Sequence, residues 1–332
     1  MKIGTQGVIK RKITFFVLTS ALFSIAPFAG AQQPAKGPRV GYLTQASGPG
    51  AGYEVFRQEL RSLGYREGAD ITLGYRSAET QLDLAKEAAT FLQQQVDVIV
   101  TIGGRATRAA KEATKTVPIV FTLSGDPIDS GFVESLARPG ANLTGITWMA
   151  FELTGKRLEI LKEVAPTISR VAVLLNPTTV GEYLELREAR ATAGSLKMTL
   201  VHRRVRDKLE FDFAFDDIPR EKADGLLVFP DDRTNEHRKQ IAEFAIKHRL
   251  PSMFGWREYV EAGGLMAYGP NRAESLRRVA VYVDKILKGA KPAELPVEQP
   301  TKFEFVINLK TAKQIKLVIP PNVLARADRV IR

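Results

Sequence analysis

Val96-Asp97-Val98-Ile99-Val100-Thr101-Ile102-Gly103-Gly104-Arg105 is a nearly unbroken run of β-branched residues that closes on two glycines. A strand with one wet face alternates apolar and polar residues, whereas a continuous run belongs to a strand covered on both faces, as in parallel sheets flanked by helices. Val96 to Val100 therefore predicts such a strand and Arg105 to Ala113 a helix after it. Upstream, strands are expected at Val40 to Leu43 and Ile71 to Tyr75. Helices are expected at Tyr53 to Leu63 and at Gln81 to Gln94, the latter with Leu82, Ala85, Ala89 and Leu92 turned inward. Downstream come a strand at Val117 to Leu123, a short helix at Ile128 to Ala137 and a strand at Leu143 to Thr147.

The same rhythm then begins again. Helices are predicted at Leu153 to Val164, Glu182 to Leu196, Asn235 to His248 and Arg272 to Lys288. Strands are predicted at Val171 to Leu175, Met198 to His202, Gly225 to Phe229, Pro251 to Phe254 and Leu265 to Tyr268. Lys208 to Glu221 is ambiguous, because Phe211, Phe213 and Phe215 alternate as in a strand while the rhythm calls for a helix. The helix is the favoured reading. Two β-α series of domain size imply an α/β protein of two doubly wound, Rossmann-like lobes, with a first crossover near Thr144 to Phe151.

The 332 residues carry a net charge of +11 and no cysteine. Absence of cysteine excludes disulfides, thiolate metal sites, a thiol nucleophile and a lipid-modified cysteine. Lys2, Lys10, Arg11 and Lys12 precede an apolar run from Ile13 to Phe28, and Ala29-Gly30-Ala31 follows it. A positive segment, a short apolar segment and a small-x-small site make a secretory signal, with cleavage expected after Ala31. The segment holds four basic residues and no acidic one, so its removal leaves 301 residues at +7. A soluble, exported protein of a bacterial periplasm is expected.

No Gly-x-Ser-x-Gly and no three-glycine dinucleotide fingerprint is present. Of the three histidines, His237 and His248 share one predicted helix and sit at no strand end, while His202 belongs to a solvated His202-Arg203-Arg204 patch at a surface strand end. Neither a catalytic residue, a metal nor a cofactor is expected, and no basic motif points to nucleic acid. Open α/β sheets bind ligands at the carboxyl ends of strands. That rule selects Thr44, Gln45 and Ser47 after the first strand, with Gly104, Ser124 and Gly125 from the same lobe. Asn176, Asp231, Phe254 and Trp256 are the counterparts in the second. Asp126 and Asp231 are also well placed to cap the helices that follow them.

Several longer stretches resemble one family: Gly125 to Gly140 (GDPIDSGFVESLARPG) with Asn142 to Gly145, Gly155 to Glu163, Asn176-Pro177, Glu261 to Asn271 and Pro300 to Ala312. The chain is similar to the ABC-transporter substrate-binding proteins that include tryptophan- and tyrosine-binding members. One departure is Asp231-Asp232, where the family pattern has Asp-Pro. The resemblance implies a type I periplasmic-binding-protein architecture, two lobes joined by a hinge of three crossovers. The first lobe would comprise 38–147 plus 271–298, and the second 148–270 plus 299–332. The helix from Arg272 would return to the first lobe, and Phe303 to Asn308 would add a strand to the second. The implied function is a monomeric periplasmic receptor that captures a small solute by hinge closure and delivers it to a membrane permease. An amino acid or an aromatic or carboxylate compound fits this expectation. First-lobe hydroxyls and N–H groups would take a carboxylate, Asp231 an ammonium, and Trp256 or Phe254 a side chain. The alternative is a sensory module that presents its ligand to a receptor kinase. A DNA-binding regulator with the same lobes would need a helix-turn-helix before residue 39, where the signal segment stands.

Overall fold

The structure, a computed structural model, describes residues 37–332; the expected signal segment, Met1 to Ala31, lies outside the described residues. The first half runs β1 (Arg39–Thr44), α1 (Ala51–Ser62), β2 (Thr72–Ser77), α2 (Gln81–Gln93), β3 (Val98–Ile102), α3 (Gly104–Ala113), β4 (Ile119–Leu123) and β5 (Leu143–Thr147). These five strands form one parallel sheet in the order β2-β1-β3-β4-β5. Val98 to Ile102 are buried throughout, as the unbroken apolar run requires.

After a 3-10 turn at Ala150–Leu153 the second half runs α4 (Thr154–Val164), β6 (Arg170–Leu175), α5 (Glu182–Ser195), β7 (Thr199–Arg204), α6 (Lys208–Arg220) and β8 (Gly225–Val228). It continues with α7 (Asp232–Glu236), α8 (Arg238–Lys247), β9 (Ser252–Phe254), α9 (Arg257–Glu261), β10 (Met266–Pro270) and α10 (Arg272–Leu287). The chain ends with β11 (Phe303–Asn308), α11 (Leu309–Gln314), α12 (Pro321–Leu324) and β12 (Arg329–Ile331). The second sheet has the order β12-β11-β10-β9-β8-β6-β7. Its β7-β6-β8-β9-β10 portion repeats the wiring of the first sheet, and β11 is added antiparallel to β10. Two α/β lobes with doubly wound sheets are thus present.

The chain passes between the sheets three times. It leaves β5 through Trp148 and returns when α10 packs on α1, β3, β4 and β5. Glu298 then pairs beside Ile146 of β5 before β11 joins the second sheet. Arg157 on α4 ties the first two crossings together: its guanidinium donates to the carbonyls of Ala150 (3.1 Å) and Tyr268 (2.8 Å).

Three elements depart from the sequence reading. No helix forms at Ile128 to Ala137. The Asp126 carboxylate accepts the N–H groups of Ile128 and Asp129, Gly131 turns left-handed at φ 68°, and the single turn ends there. In α2 the buried face is Leu84, Ala88 and Phe91, while Leu82 is 68% exposed. The Phe91 ring fills the space left by two strand glycines; a Cβ on Gly41 would meet it at 2.8 Å and one on Gly74 at 3.1 Å. The predicted helix Asn235 to His248 is two helices that break at His237. Lys208–Arg220 is a helix, capped by Asp207, with Phe211 buried and Phe213 exposed.

Candidate functional site: the cleft between the lobes

The strand order makes the site. In a 2-1-3-4-5 sheet the helices change sides between the first and third strands, and the chain leaves a crevice at their carboxyl ends. In the first lobe that crevice lies between Thr44-Gln45 after β1 and Gly103-Gly104 after β3. In the second it lies between Asn176 after β6 and Asp231 after β8. The two crevices face each other across the cleft. Asn176 Nδ2 spans its own crevice to reach Asp231 Oδ1 at 3.2 Å.

Two cavities open there. The larger, about 500 Å³, is lined from the first lobe by Tyr42, Thr44, the loop Ala46 to Tyr53 and Tyr75. Second-lobe helices α7 to α9 supply Asp232, Asn235, Glu236, Arg238, Arg257, Glu258 and Glu261, and Arg272 opens α10. That volume lies within the range of small-molecule sites. The smaller, about 30 Å³, lies at the strand ends and is lined by Gln45, Gly104, Arg105, Ser124, Trp148, Asn176, Thr179, Asp231 and Trp256. Asp232 belongs to both walls.

The lobes touch around this space. Val180 seats directly on two first-lobe glycines: a Cβ on Gly104 would meet its side chain at 2.5 Å, and one on Gly125 its carbonyl oxygen at 2.5 Å. The Ser47 N–H donates to Glu236 Oε1 at 2.7 Å, and Arg233 approaches Glu79 at 3.6 Å. Tyr183 donates its hydroxyl proton to Asp129, and Arg272 pairs with Asp232. Arg272 also lies over the rings of Trp256 at 4.7 Å and Trp148 at 5.8 Å, and these indoles meet edge to face at 5.1 Å.

A model of the ABC transporter substrate binding protein family matches residues 47–331. The chain belongs to that family. A tyrosine-binding protein of Clostridioides difficile is 24% identical over 264 residues, covering 79% of this chain and 75% of the relative. A conserved domain protein from Vibrio cholerae superposes with a TM-score of 0.81 at 27% identity, over 89% of this chain and all of that one. An ABC domain from Streptococcus pneumoniae, solved in complex with L-Trp, gives 0.80 at 23% identity over the same shares.

In this substrate-binding protein the residues singled out from sequence fall into three groups. Thr44 and Ser47 line the larger cavity. Gln45, Gly104, Ser124, Asn176, Asp231 and Trp256 line the smaller. Gly125 faces Val180 at the interlobe contact, and Phe254 is fully buried in the second-lobe core, stacked on Tyr259 at 4.8 Å, where it lines neither cavity. Asp231 caps α7. Its carboxylate accepts the N–H groups of Arg233 and Thr234, and the Asp231 N–H donates in return to the Thr234 hydroxyl oxygen. Burial pushes the Asp231 carboxyl up to about 6, against the opposing pull of Asn176 and Thr234. Burial likewise opposes the charge on Arg272, but Asp232 and Glu258 hold that guanidinium above its ordinary value.

The sequence reading passed over Trp148, Arg272 and the tyrosines Tyr42, Tyr53 and Tyr75; on one side of the larger cavity Tyr42 stacks on Tyr75, and Tyr53 meets both edge to face. Trp148 and Arg272 begin crossovers, so only the path of the chain between sheets brings them to the cleft. Among the described residues the indole N–H groups of Trp148 and Trp256, Arg272 Nε, Asn235 Oδ1 and Glu258 Oε2 are buried with no hydrogen-bond partner. Buried polar groups are nearly always paired, so these donors and acceptors are suited to a polar ligand. No group of three or more His, Asp or Glu among the described residues is arranged to hold a metal. None of their helices is long and apolar enough to cross a membrane.

Proposed function

We propose that this protein is the periplasmic solute receptor of an ABC importer and that its solute is an amino acid, bound in the larger cavity between the lobes. The observation that carries this reading is the cavity itself. It has the volume of a small-molecule site, and both lobes supply its walls. A ligand that touches both walls favours the closed arrangement by its differential affinity for closed and open states. In this reading 38–147 with 271–298 moves as one body and 148–270 with 299–332 as the other. The closed form, a monomer, docks on the membrane permease.

The ligand carboxylate is assigned to the first lobe. Gly50 begins α1 without a side-chain cap, so free N–H groups at the helix start face the cavity. Thr44 and Ser47 add hydroxyls beside them. The ammonium is assigned to the second-lobe carboxylates Glu236 and Glu258, because both oxygens of Asp231 are already engaged in its capping and Asn176 contacts. The tyrosines Tyr42, Tyr53 and Tyr75 offer an aromatic wall to an apolar or aromatic side chain. The named precedents, a tyrosine-binding relative and an L-Trp-bound structure, support an amino acid as the first class to test.

A thermal-shift screen of the mature protein against amino acids, aromatic acids and small anions tests this. A true ligand at about 100 times its dissociation constant stabilises the folded state by about 2.7 kcal/mol. Absence of a shift with every amino acid would remove that class.

A further inference from the structure

Asp232 does more than follow the capping Asp231. Its carboxylate takes Nη2 of Arg272, and with side-chain exposures of 12% and 14% the two charges are largely withdrawn from water. The guanidinium is flanked by the Trp148 and Trp256 rings, and its Nε has no hydrogen-bond partner. The pair stands where the two cavities meet, since Asp232 lines both and Arg272 lines the larger. Around the larger cavity four carboxylates, those of Asp232, Glu236, Glu258 and Glu261, face only three arginines. Without Asp232 the net negative charge of the wall would be gone, and the desolvated Arg272 would lose its ion-pair partner and keep only the longer-range pull of Glu258. Such a charge attracts an anion far more strongly than it would in water.

We propose that Asp232 is a specificity-determining residue: it cancels the charge of Arg272 at the floor of the cleft and so selects ligands that carry an ammonium group over ligands that are only anions. Beyond the bond from Nη2 to Asp232, the Arg272 guanidinium keeps N–H donors for a ligand oxygen. The inference rests on the larger cavity being the solute site, as read above.

Three indole compounds that differ in charge make the test: L-tryptophan, the cation tryptamine and the anion indole-3-propionate. Titration calorimetry on the mature wild-type protein should rank indole-3-propionate weakest, by about tenfold or more. Asp232→Asn should move the ratio of indole-3-propionate to tryptamine affinity by about tenfold toward the acid. Asp232→Glu, which keeps the charge, should retain the wild-type ranking, and Asp232→Ala should shift it in the same direction as Asp232→Asn. An unchanged ratio in folded Asn and Ala variants would overturn the proposal. If no indole compound binds the wild type, the aromatic amino-acid reading fails, and acetate decides the role of Asp232 separately. The protein has only two tryptophans, both stacked on Arg272, so each indole N–H signal in a 1H–15N spectrum reports on this site. Saturable shifts with acetate in Asp232→Asn but not in the wild type support the proposal; shifts in both proteins, or in neither, overturn it.

Discussion

The two lobes share one wiring and use it differently. Each has the strand order 2-1-3-4-5 and opens its crevice at the corresponding place. The first lobe meets the cleft through backbone at Gly48, Gly50, Gly103 and Gly104, with the uncapped start of α1, and through mostly uncharged side chains such as Tyr42, Thr44, Ser47 and Tyr75; Gly125 lies beside it against Val180. The second lobe meets it through side chains, among them Asn176, Asp231, Asp232, Arg233 and Glu236. The cores differ in the same sense. Under the first sheet an aromatic ring, Phe91, fits against strand glycines, whereas the second lobe buries an ion pair, Arg157 with Glu185, 3.8 Å apart. A shared fold therefore fixes where a site lies, while the residues at its rim decide whether it binds by N–H groups or by charge.

Removing Arg157 breaks this comparison most severely. Burial pushes the Glu185 carboxyl up and the Arg157 guanidinium down, and the charge of each partner opposes that shift in the other. Arg157→Ala would leave Glu185 buried and unpaired and would release the carbonyls of Ala150 and Tyr268. Loss of one partner of a buried pair costs about 3–5 kcal/mol. Denaturant unfolding should show that loss, and a cost below about 1 kcal/mol would mean the pair contributes little.

Much of this was legible in sequence, and the failures have physical causes. The central strands read correctly because both their faces are buried, so apolar and β-branched residues, buried threonines such as Thr101 and Thr122 included, fill them. The face of α2 was misread because Leu82, Ala85, Ala89 and Leu92 form an apolar row as regular as that of Leu84, Ala88 and Phe91. What decides between the rows is Gly41 and Gly74, which make room for one large ring across a sheet the helix has not yet met. The helix after Asp126 failed because one side chain accepts two N–H groups locally and Gly131 then turns the chain. In the cleft, residues at strand ends could be listed from pattern alone. Trp148, Arg272 and Val180 could not, because their place depends on crossovers and on how the lobes meet.

The second-lobe rim should titrate where the first-lobe rim does not. The Asp231 carboxyl, at about 6 in the folded state against 3.8 as its ordinary value, binds its proton more tightly when folded. Its contribution to stability is therefore fully present below about 3.8 and is lost as pH rises through about 6. The loss is on the order of 2–3 kcal/mol. Asp231→Asn keeps a capping side chain and removes the titration, so the fall in melting temperature between these pH values should flatten in the variant. A wild-type slope that persists unchanged in Asp231→Asn would assign it to other groups.

Backbone contact at the first-lobe rim is tested by Gly125→Ala. The added Cβ would meet the Val180 carbonyl oxygen at 2.5 Å, and the two atoms belong to different lobes. The lobes should be held apart, with a larger radius of gyration in X-ray scattering. Affinity for any ligand that needs closure should fall by about tenfold, equivalent to about 1.4 kcal/mol. An unchanged scattering profile would show that the Val180 loop yields instead.

The smallest expected effect asks how far the two lobes remain equivalent away from the cleft. The helix that follows the second strand of each begins alike. Thr80 accepts the N–H of Asp83 at the start of α2, and Asp207 accepts the N–H of Glu210 at the start of α6. Each cap satisfies one of the N–H groups that a helix start leaves without a partner. Thr80→Ala and Asp207→Ala should each cost about 1 kcal/mol, measured by denaturant unfolding. The two differ in surroundings: Asp207 carries a charge at the positive end of the helix dipole, and Thr80 carries none. A larger loss at Asp207, shrinking with added salt until it equals the loss at Thr80, would isolate the charge contribution. Equal losses at every salt concentration would mean that the hydrogen bond alone sets the cap, and that outside the cleft the two lobes are interchangeable in their local chemistry.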